Sequence, residues 1–102
     1  MENEIKKNEH SPELKSFIKE HSYFWWWVPE ERKEHLSLNS VVEATLNFGN
    51  INEIKQLFKL IGIEKVSEIF FKQISGKRPN YSKRTINFFK LYFNRNVHRD
   101  IN

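Results

Sequence analysis

The sequence of 102 residues contains no cysteine, three glycines and three prolines. Without cysteine, the chain can form no disulfide, thiolate metal site or cysteine nucleophile. Three glycines could hardly build a phosphate-binding loop. No apolar run reaches membrane-spanning length, and the segment from Met1 to Lys7 lacks the apolar core of a signal peptide. These absences lead us to expect a cytoplasmic protein with no membrane partner.

Residues that could carry catalysis are scattered along the chain. The four histidines lie in polar surroundings without a metal-binding pair spacing, and we expect them to be solvated: His10, His21, His35 and His98. The clustered acidic residues are typical of an exposed helical turn rather than of a carboxylate pair in an apolar pocket: Glu30, Glu31 and Glu34. We therefore expect no enzymatic activity, no metal and no cofactor.

The composition is that of a folded chain, since hydrophobic residues make up 38% and aromatic residues 15% of it. This length suits one hydrophobic core, so we expect a single domain over residues 1–102. Polar residues dominate both ends. We expect loose tails at 1–10 and 95–102 around a folded part of about 11–94.

An aromatic run, residues 23–29, holds all three tryptophans of the chain: Trp25, Trp26 and Trp27. Three consecutive side chains cannot all point the same way on a helix or a strand, so at least one should face away from the core. We expect Tyr23, Phe24 and one or two tryptophans to anchor the fold. Trp25, Trp26 and Trp27 are at the same time candidate partner contacts, because tryptophan is enriched at binding hot spots. The alternative is a loop that plugs one end of the fold.

Helix signals recur along the rest of the chain. Ser11 followed by Pro12 predicts a helix to about residue 21, and Pro29 predicts a short helical turn that ends before residue 36. Asn39 or Ser40 is expected to cap a helix that ends at Phe48. Further helices are expected at about 51–61, 63–74 and 83–94. The pattern predicts an all-α, compact bundle of about five helices.

Glycine and asparagine punctuate these helices. Gly49 is expected as a left-handed stop, and Gly62 as the end of the third helix. Asn50 and Glu53 have the spacing of a capping box. Two helices in this region are each expected to bury one stripe of residues at helical spacing: Val42 and Leu46 with Val41, Thr45 and Phe48 alongside, and then Ile51, Ile54, Leu57, Phe58 and Ile61.

Charge divides the chain into two unequal halves. Residues 1–54 have six basic and ten acidic residues, a net charge of −4, whereas residues 55–102 have eleven and three, a net charge of +8. The second half could approach an acidic protein patch or DNA. Candidate anion or nucleic-acid contacts are Lys77, Arg78, Lys83, Arg84 and Lys90, although such clusters are commonly solvated faces.

The last predicted helix is apolar over a wide arc. Ile86, Phe89 and Phe93 line one side of it, and a second side carries Phe88 and Tyr92. Such a helix is either central to the bundle or in contact with another chain. Phe88 and Tyr92 are therefore candidate partner contacts.

Residues 50–75 have a weak helix-turn-helix outline, with Leu57, Ile61 and Gly62 at suitable places. Against it, Phe58 is larger than the motif prefers and Glu68 stands where an apolar residue is expected. We interpret the segment as an ordinary helical hairpin and keep a DNA-binding regulator as an alternative function.

Five segments resemble a family of small bacterial proteins of unknown function. They are residues 24–29, residues 41–50, residues 51–60, Gly62 to Val66, and residues 87–93, and the likeness spans about 12–95. Members share an aromatic opening before an acidic turn and are commonly encoded beside AbiEii-type nucleotidyltransferase toxins. This chain departs at Trp26 or Trp27, where many members carry Asp. The family offers no binding residues to carry over.

The resemblance implies an antitoxin that binds and neutralises a nucleotidyltransferase-type toxin by occlusion. Two alternatives stand beside it, the DNA-binding regulator and a non-catalytic structural subunit. The expected partners are accordingly the toxin and DNA through the basic second half, with a homodimer also compatible with the sequence.

Overall fold

The computed structural model describes residues 10–76 and 79–97, and over these it contains helices and no β-strand. The five α-helices are α1 (Pro12–Glu20), α2 (Leu38–Phe48), α3 (Ile51–Ile61), α4 (Ile63–Ile74) and α5 (Lys83–Asn96). Two 3₁₀ helices, Ser22–Trp25 and Glu30–His35, lie between α1 and α2. The predicted all-α fold of about five helices is confirmed. In this part of the chain, no helix combines the length and the apolar character that crossing a membrane requires.

Side-chain caps mark the start of four of the five α-helices, and α4 begins after Gly62 without one. Ser11 Oγ accepts from Leu14 N at 3.1 Å, and Ser82 Oγ accepts from Thr85 N at 3.1 Å, as predicted for α1 and α5. The predicted capping box is also confirmed: Asn50 Oδ1 accepts from Glu53 N, while Glu53 Oε1 accepts from Asn50 N.

The predicted cap of α2 was wrong. Ser37, not Asn39 or Ser40, caps this helix and accepts a 3.1 Å hydrogen bond from Ser40 N. Several polar residues in this stretch can cap a helix, and the packing of the neighbouring Leu38 against the core favours the earliest of them.

Two glycines end helices for different reasons. Gly62 has φ 91°, the backbone region that glycine adopts without strain, and α3 ends there as predicted. The left-handed conformation predicted for Gly49 was wrong, because this residue has φ −79° and ψ 154°. A Cβ at Gly49 would lie 2.7 Å from Thr45 O, so glycine is needed there for close backbone approach.

The core lies where α2 packs against α3 and α4. Helix α1 packs on α3 and on the 3₁₀ helix Glu30–His35, and α5 packs on α4. Phe70 of α4 is fully buried, with its ring centroid 5.3 Å from that of Tyr81 and 5.4 Å from that of Phe93. This aromatic cluster joins α5 to the rest of the fold.

Some predictions about the ends and faces of helices need correction. Helix α5 extends to Asn96, and Val97 is buried, so the folded part continues past residue 94. Before α1, His10 Nε2 donates a 2.6 Å hydrogen bond to Leu36 O, which ties residue 10 to the fold. The rest of the two predicted tails lies outside the described residues. Phe48 and Ile51, expected to face inward, are exposed.

Candidate protein-binding surface

The aromatic run is split between the core and the surface. The 3₁₀ helix Ser22–Trp25 turns Phe24 and Trp25 into the core, and a 2.9 Å hydrogen bond from Val28 N to Trp25 O then closes a tight turn. Trp26 and Trp27 lie within that turn and are 78% and 57% exposed. The expectation that at least one tryptophan faces away from the core is confirmed.

Trp25 cannot be a surface contact, which corrects one predicted partner-binding residue. Its side chain is 1% exposed and packs edge-on against Phe24, with ring centroids 5.5 Å apart. Its indole Nε1 has no hydrogen-bond acceptor among the described residues. A buried unpaired donor costs about 1–3 kcal/mol, which the burial of the large ring offsets.

Trp26, Trp27 and Phe48 form an exposed cluster that we call the aromatic patch. The two indoles meet edge to face, with centroids 5.8 Å apart. Phe48, at the end of α2, is 63% exposed and lines the same groove as Trp27. Large aromatic side chains left in water are the residue types that dominate binding hot spots.

A hydrogen-bonded cluster holds the start of the aromatic run against α3. Tyr23, expected to anchor the fold through its ring, is exposed and donates a 3.0 Å hydrogen bond to Glu53 Oε2. His21 Nε2 lies 3.4 Å from the same oxygen, and His21 Nδ1 donates to Phe17 O at 2.8 Å. His21 is buried, so the expectation that all four histidines are solvated was wrong.

These contacts shift two pKa values in opposite directions. Hydrogen bonds from Asn50 N–H and then Tyr23, with the charge of His21, lower the pKa of Glu53 against the opposing effect of burial. The hydrogen bond to Glu53, followed by burial and the Glu53 charge, raises the pKa of Tyr23. Both shifts favour an ionised Glu53 beside a protonated Tyr23.

Lys33 anchors the acidic turn on the other side of the run. Its side chain is buried, and Nζ donates a 3.1 Å hydrogen bond to Ser22 O and lies 3.2 Å from Glu30 Oε1. Glu31 and Glu34 remain exposed. The tryptophan turn is therefore held at both ends, by the buried Phe24 and Trp25 before it and by Lys33 after it.

A second exposed surface runs along α5, and we call it the basic helix face. Arg84, Phe88, Leu91 and Arg95 follow one another at spacings of four, three and four, so they share one side of the helix. Leu91 is 63% exposed. Tyr92 at the edge is half-buried because its ring stacks on that of Phe58, with centroids 5.8 Å apart.

The structure describes three of the five basic residues predicted to contact an anion or a nucleic acid. Lys83, Arg84 and Lys90 are exposed on α5, which contains no acidic residue. Lys77 and Arg78 lie outside the described residues.

The predicted helix-turn-helix segment consists of α3 and α4 joined by the single residue Gly62. This connection is shorter than the turn of three to four residues that is usual for that motif.

Candidate metal ligands do not converge in the described ranges. No group of three or more histidine, aspartate or glutamate side chains is placed there to hold a metal ion. His10 and His21 are held by backbone carbonyls, while His35 is exposed. His98 lies outside the described residues.

The sequence did not indicate three surface features: the exposure of Phe48, the exposure of Leu91, and a groove lined by both Glu43 and Trp27. Leu91 could have been found, since it lies three residues after Phe88 on a helix with a wide apolar arc. The other two depend on how α2 meets the aromatic run, for which the local sequence carries no signal.

Comparison of the chain with models of protein families, with curated proteins and with solved structures finds no match.

Proposed function

We propose that this chain is a non-enzymatic antitoxin that binds a nucleotidyltransferase-type toxin and occludes it. The observation that carries the proposal is the pair of exposed indoles, Trp26 and Trp27, on a turn fixed at both ends. The antitoxin assignment and the type of partner come from the sequence resemblance. The geometry supports the more general part of the proposal, a protein-binding domain.

Rigidity of the tryptophan turn favours tight binding. The buried Phe24 and Trp25 and the contacts of Lys33 order the backbone around Trp26 and Trp27 before a partner arrives. Ordering a side chain on binding costs about 0.5–1.5 kcal/mol, so a preformed turn loses less on association. Trp26 and Trp27 are then the expected hot spots, each contributing about 2 kcal/mol or more.

The basic helix face provides a second contact of different chemistry. Phe88 and Leu91 are exposed between Arg84 and Arg95, so this face suits an apolar surface with an acidic margin. A nucleotidyltransferase binds its metal ions in an acidic cleft, and the exposed Lys83 and Lys90 would approach that cleft. Occlusion of the cleft is the proposed mechanism.

Co-expression tests this function. The tagged chain and the toxin encoded beside it are expected to purify together and to relieve toxicity. Trp26→Ala with Trp27→Ala should abolish both effects, whereas Lys55→Ala, an exposed change on α3, should leave them intact. Failure of the wild-type chain to co-purify and to rescue growth would contradict the proposal.

A DNA-binding regulator is the second candidate, and the charge of α5 favours it. This helix carries Lys83, Arg84, Lys90 and Arg95 and no acidic residue. Binding through phosphates should weaken steeply between 50 and 200 mM salt, by a factor that grows with the number of contacts. Titration of an upstream promoter duplex and a random duplex at two salt concentrations measures both affinity and specificity; equal affinity for the two duplexes argues against a regulator.

A further inference from the structure

A groove lies between the aromatic run and α2. Its volume is about 360 Å³, within the range of small-ligand pockets. Trp27 and Phe48 stand at its edge and are largely exposed, while Val28 and Leu36 are half-buried. The full lining comprises Trp25, Trp27, Val28, Leu36, Ser40, Glu43, Ala44, Asn47, Phe48 and Asn80.

Glu43 is the single charged residue in this lining. It is partly buried on α2, and no ion pair joins it to a cation among the described residues. The charge of Glu43 also affects a buried residue. Burial, and to a smaller extent the Glu43 carboxylate, raise the pKa of Tyr81. A carboxylate that is partly removed from water gains from a nearby cation, so a cation in the groove would be stabilised.

One of the polar side chains around Glu43 is already hydrogen-bonded within the protein. Asn47 Nδ2 donates a 3.0 Å hydrogen bond to Asn80 O, which closes one side of the groove. Trp25 lines the groove as well, but its Nε1 is buried and out of reach of a ligand. A ligand suited to this site therefore combines an aliphatic body with a cationic end.

A lysine or arginine residue within a peptide has both features. The methylene groups of its side chain can lie against aromatic rings, and its cation can pair with a carboxylate. A purely apolar residue would fill the groove but offer no cation to Glu43. An acidic residue would place two like charges together.

We propose that this groove binds a lysine or arginine side chain of a partner protein, between Trp27 and Phe48 and with its cation on Glu43. The inference rests on the proposed function in one respect, that a protein partner covers the aromatic patch. It adds the chemistry of the partner segment, which must present a basic residue. Tryptophan and phenylalanine at the edge then exclude water from the ion pair.

Nuclear magnetic resonance of the ¹⁵N-labelled full chain tests the groove without any toxin. The probes are Nα-acetyl-arginine amide, Nα-acetyl-lysine amide and the neutral Nα-acetyl-norleucine amide. The basic probes should shift the indole N–H signals of Trp25 and Trp27 saturably and leave that of Trp26 nearly unchanged. Norleucine amide should bind at least about tenfold more weakly, since it lacks the cation.

Substitutions locate the cation. Glu43→Gln keeps the size of the side chain and should weaken the basic probes about tenfold, whereas Glu31→Gln, an exposed acid outside the groove, should not change their affinity. Phe48→Ser serves as a second groove variant, because the ring of Phe48 is mostly exposed. It should weaken all three probes alike.

Several outcomes would overturn the inference: no saturable shift up to about 50 mM probe, equal affinity for norleucine amide, or unchanged affinity in Glu43→Gln. Each of these leaves the co-purification experiment unaffected. If the chain co-purifies with the toxin but fails these titrations, the proposed function stands and the proposed binding of a basic side chain does not. If the chain binds the basic probes but not the toxin, the groove proposal stands and the proposed function does not.

Discussion

Tyr23 and Glu53 are joined by a 3.0 Å hydrogen bond between residues 30 positions apart, and this bond ties the aromatic run to the first turn of α3. Glu53 thereby has two functions. It completes the capping box of α3 through Asn50 N, and it holds the backbone that leads into the exposed tryptophans.

Replacement of Glu53 by glutamine should alter the acid stability of the protein. The folded-state pKa of Glu53 lies below its ordinary value of 4.5, so its ionisation stabilises the fold above that pH, and this contribution is lost as the pH falls through the lower folded value. We expect Glu53→Gln to cost about 1 kcal/mol at neutral pH and progressively less below pH 4.5. Urea unfolding at pH 7, 5 and 3 measures the difference. A constant difference across this range would contradict the assignment.

Tyr81 should control the alkaline limit of stability. Burial and the charge of Glu43 raise its pKa above the ordinary 10.0, and the hydroxyl donates to Gln73 Oε1. A raised folded pKa means that stability is complete below pH 10.0 and is lost as the pH rises through the folded value. Tyr81→Phe should cost about 1 kcal/mol at neutral pH but make the alkaline loss shallower. Thermal unfolding of the wild-type chain and of Tyr81→Phe between pH 8 and 12 checks this.

Gly49→Ala should be more destabilising than an ordinary glycine substitution. The added Cβ would lie 2.7 Å from the carbonyl oxygen of Thr45, and a backbone atom cannot move aside cheaply. We expect a loss of about 1–3 kcal/mol in the free energy of unfolding. Gly76→Ala is the matched control, because its Cβ would meet Gln73 O at an ordinary 3.5 Å. Equal stability of the two variants would show that the α2–α3 junction can relax.

Trp25 and Trp26 are adjacent, but truncation of the two side chains should destabilise the protein to very different extents. Trp25→Ala removes a fully buried ring and should cost about 3–5 kcal/mol, whereas Trp26→Ala should change stability by less than about 0.5 kcal/mol. Urea unfolding gives the stabilities, and toxin co-purification with Trp26→Ala gives the binding effect. A large loss of stability in Trp26→Ala would place that side chain in the core.

Local sequence signals were sufficient to predict most of the helices. Caps such as Ser11, Asn50 and Ser82 act through bonds three residues away, so they can be identified in sequence. The choice of Ser37 over Asn39 could not be predicted, since both have suitable side chains and the packing of Leu38 decides between them.

The candidate site was less predictable because it depends on contacts between distant residues. Periodicity indicated that the three tryptophans must divide, but the particular division follows from the 3₁₀ helix that turns Trp25 inward. His21 was expected in water because its neighbours in sequence are polar. Its ring instead stacks near Phe17 and Phe24, with centroids 4.3 and 5.4 Å away. Glu43 joins the groove only through the packing of α2 on the aromatic run.

The division of the three tryptophans gives this protein an intrinsic optical reporter. The shielded Trp25 should emit at shorter wavelength and resist iodide quenching, while Trp26 and Trp27 emit from water and are quenched freely. Occupation of the aromatic patch would blue-shift and protect the second component alone. Unfolding would red-shift the first component, so one fluorescence spectrum can distinguish a bound chain from an unfolded one without any attached label.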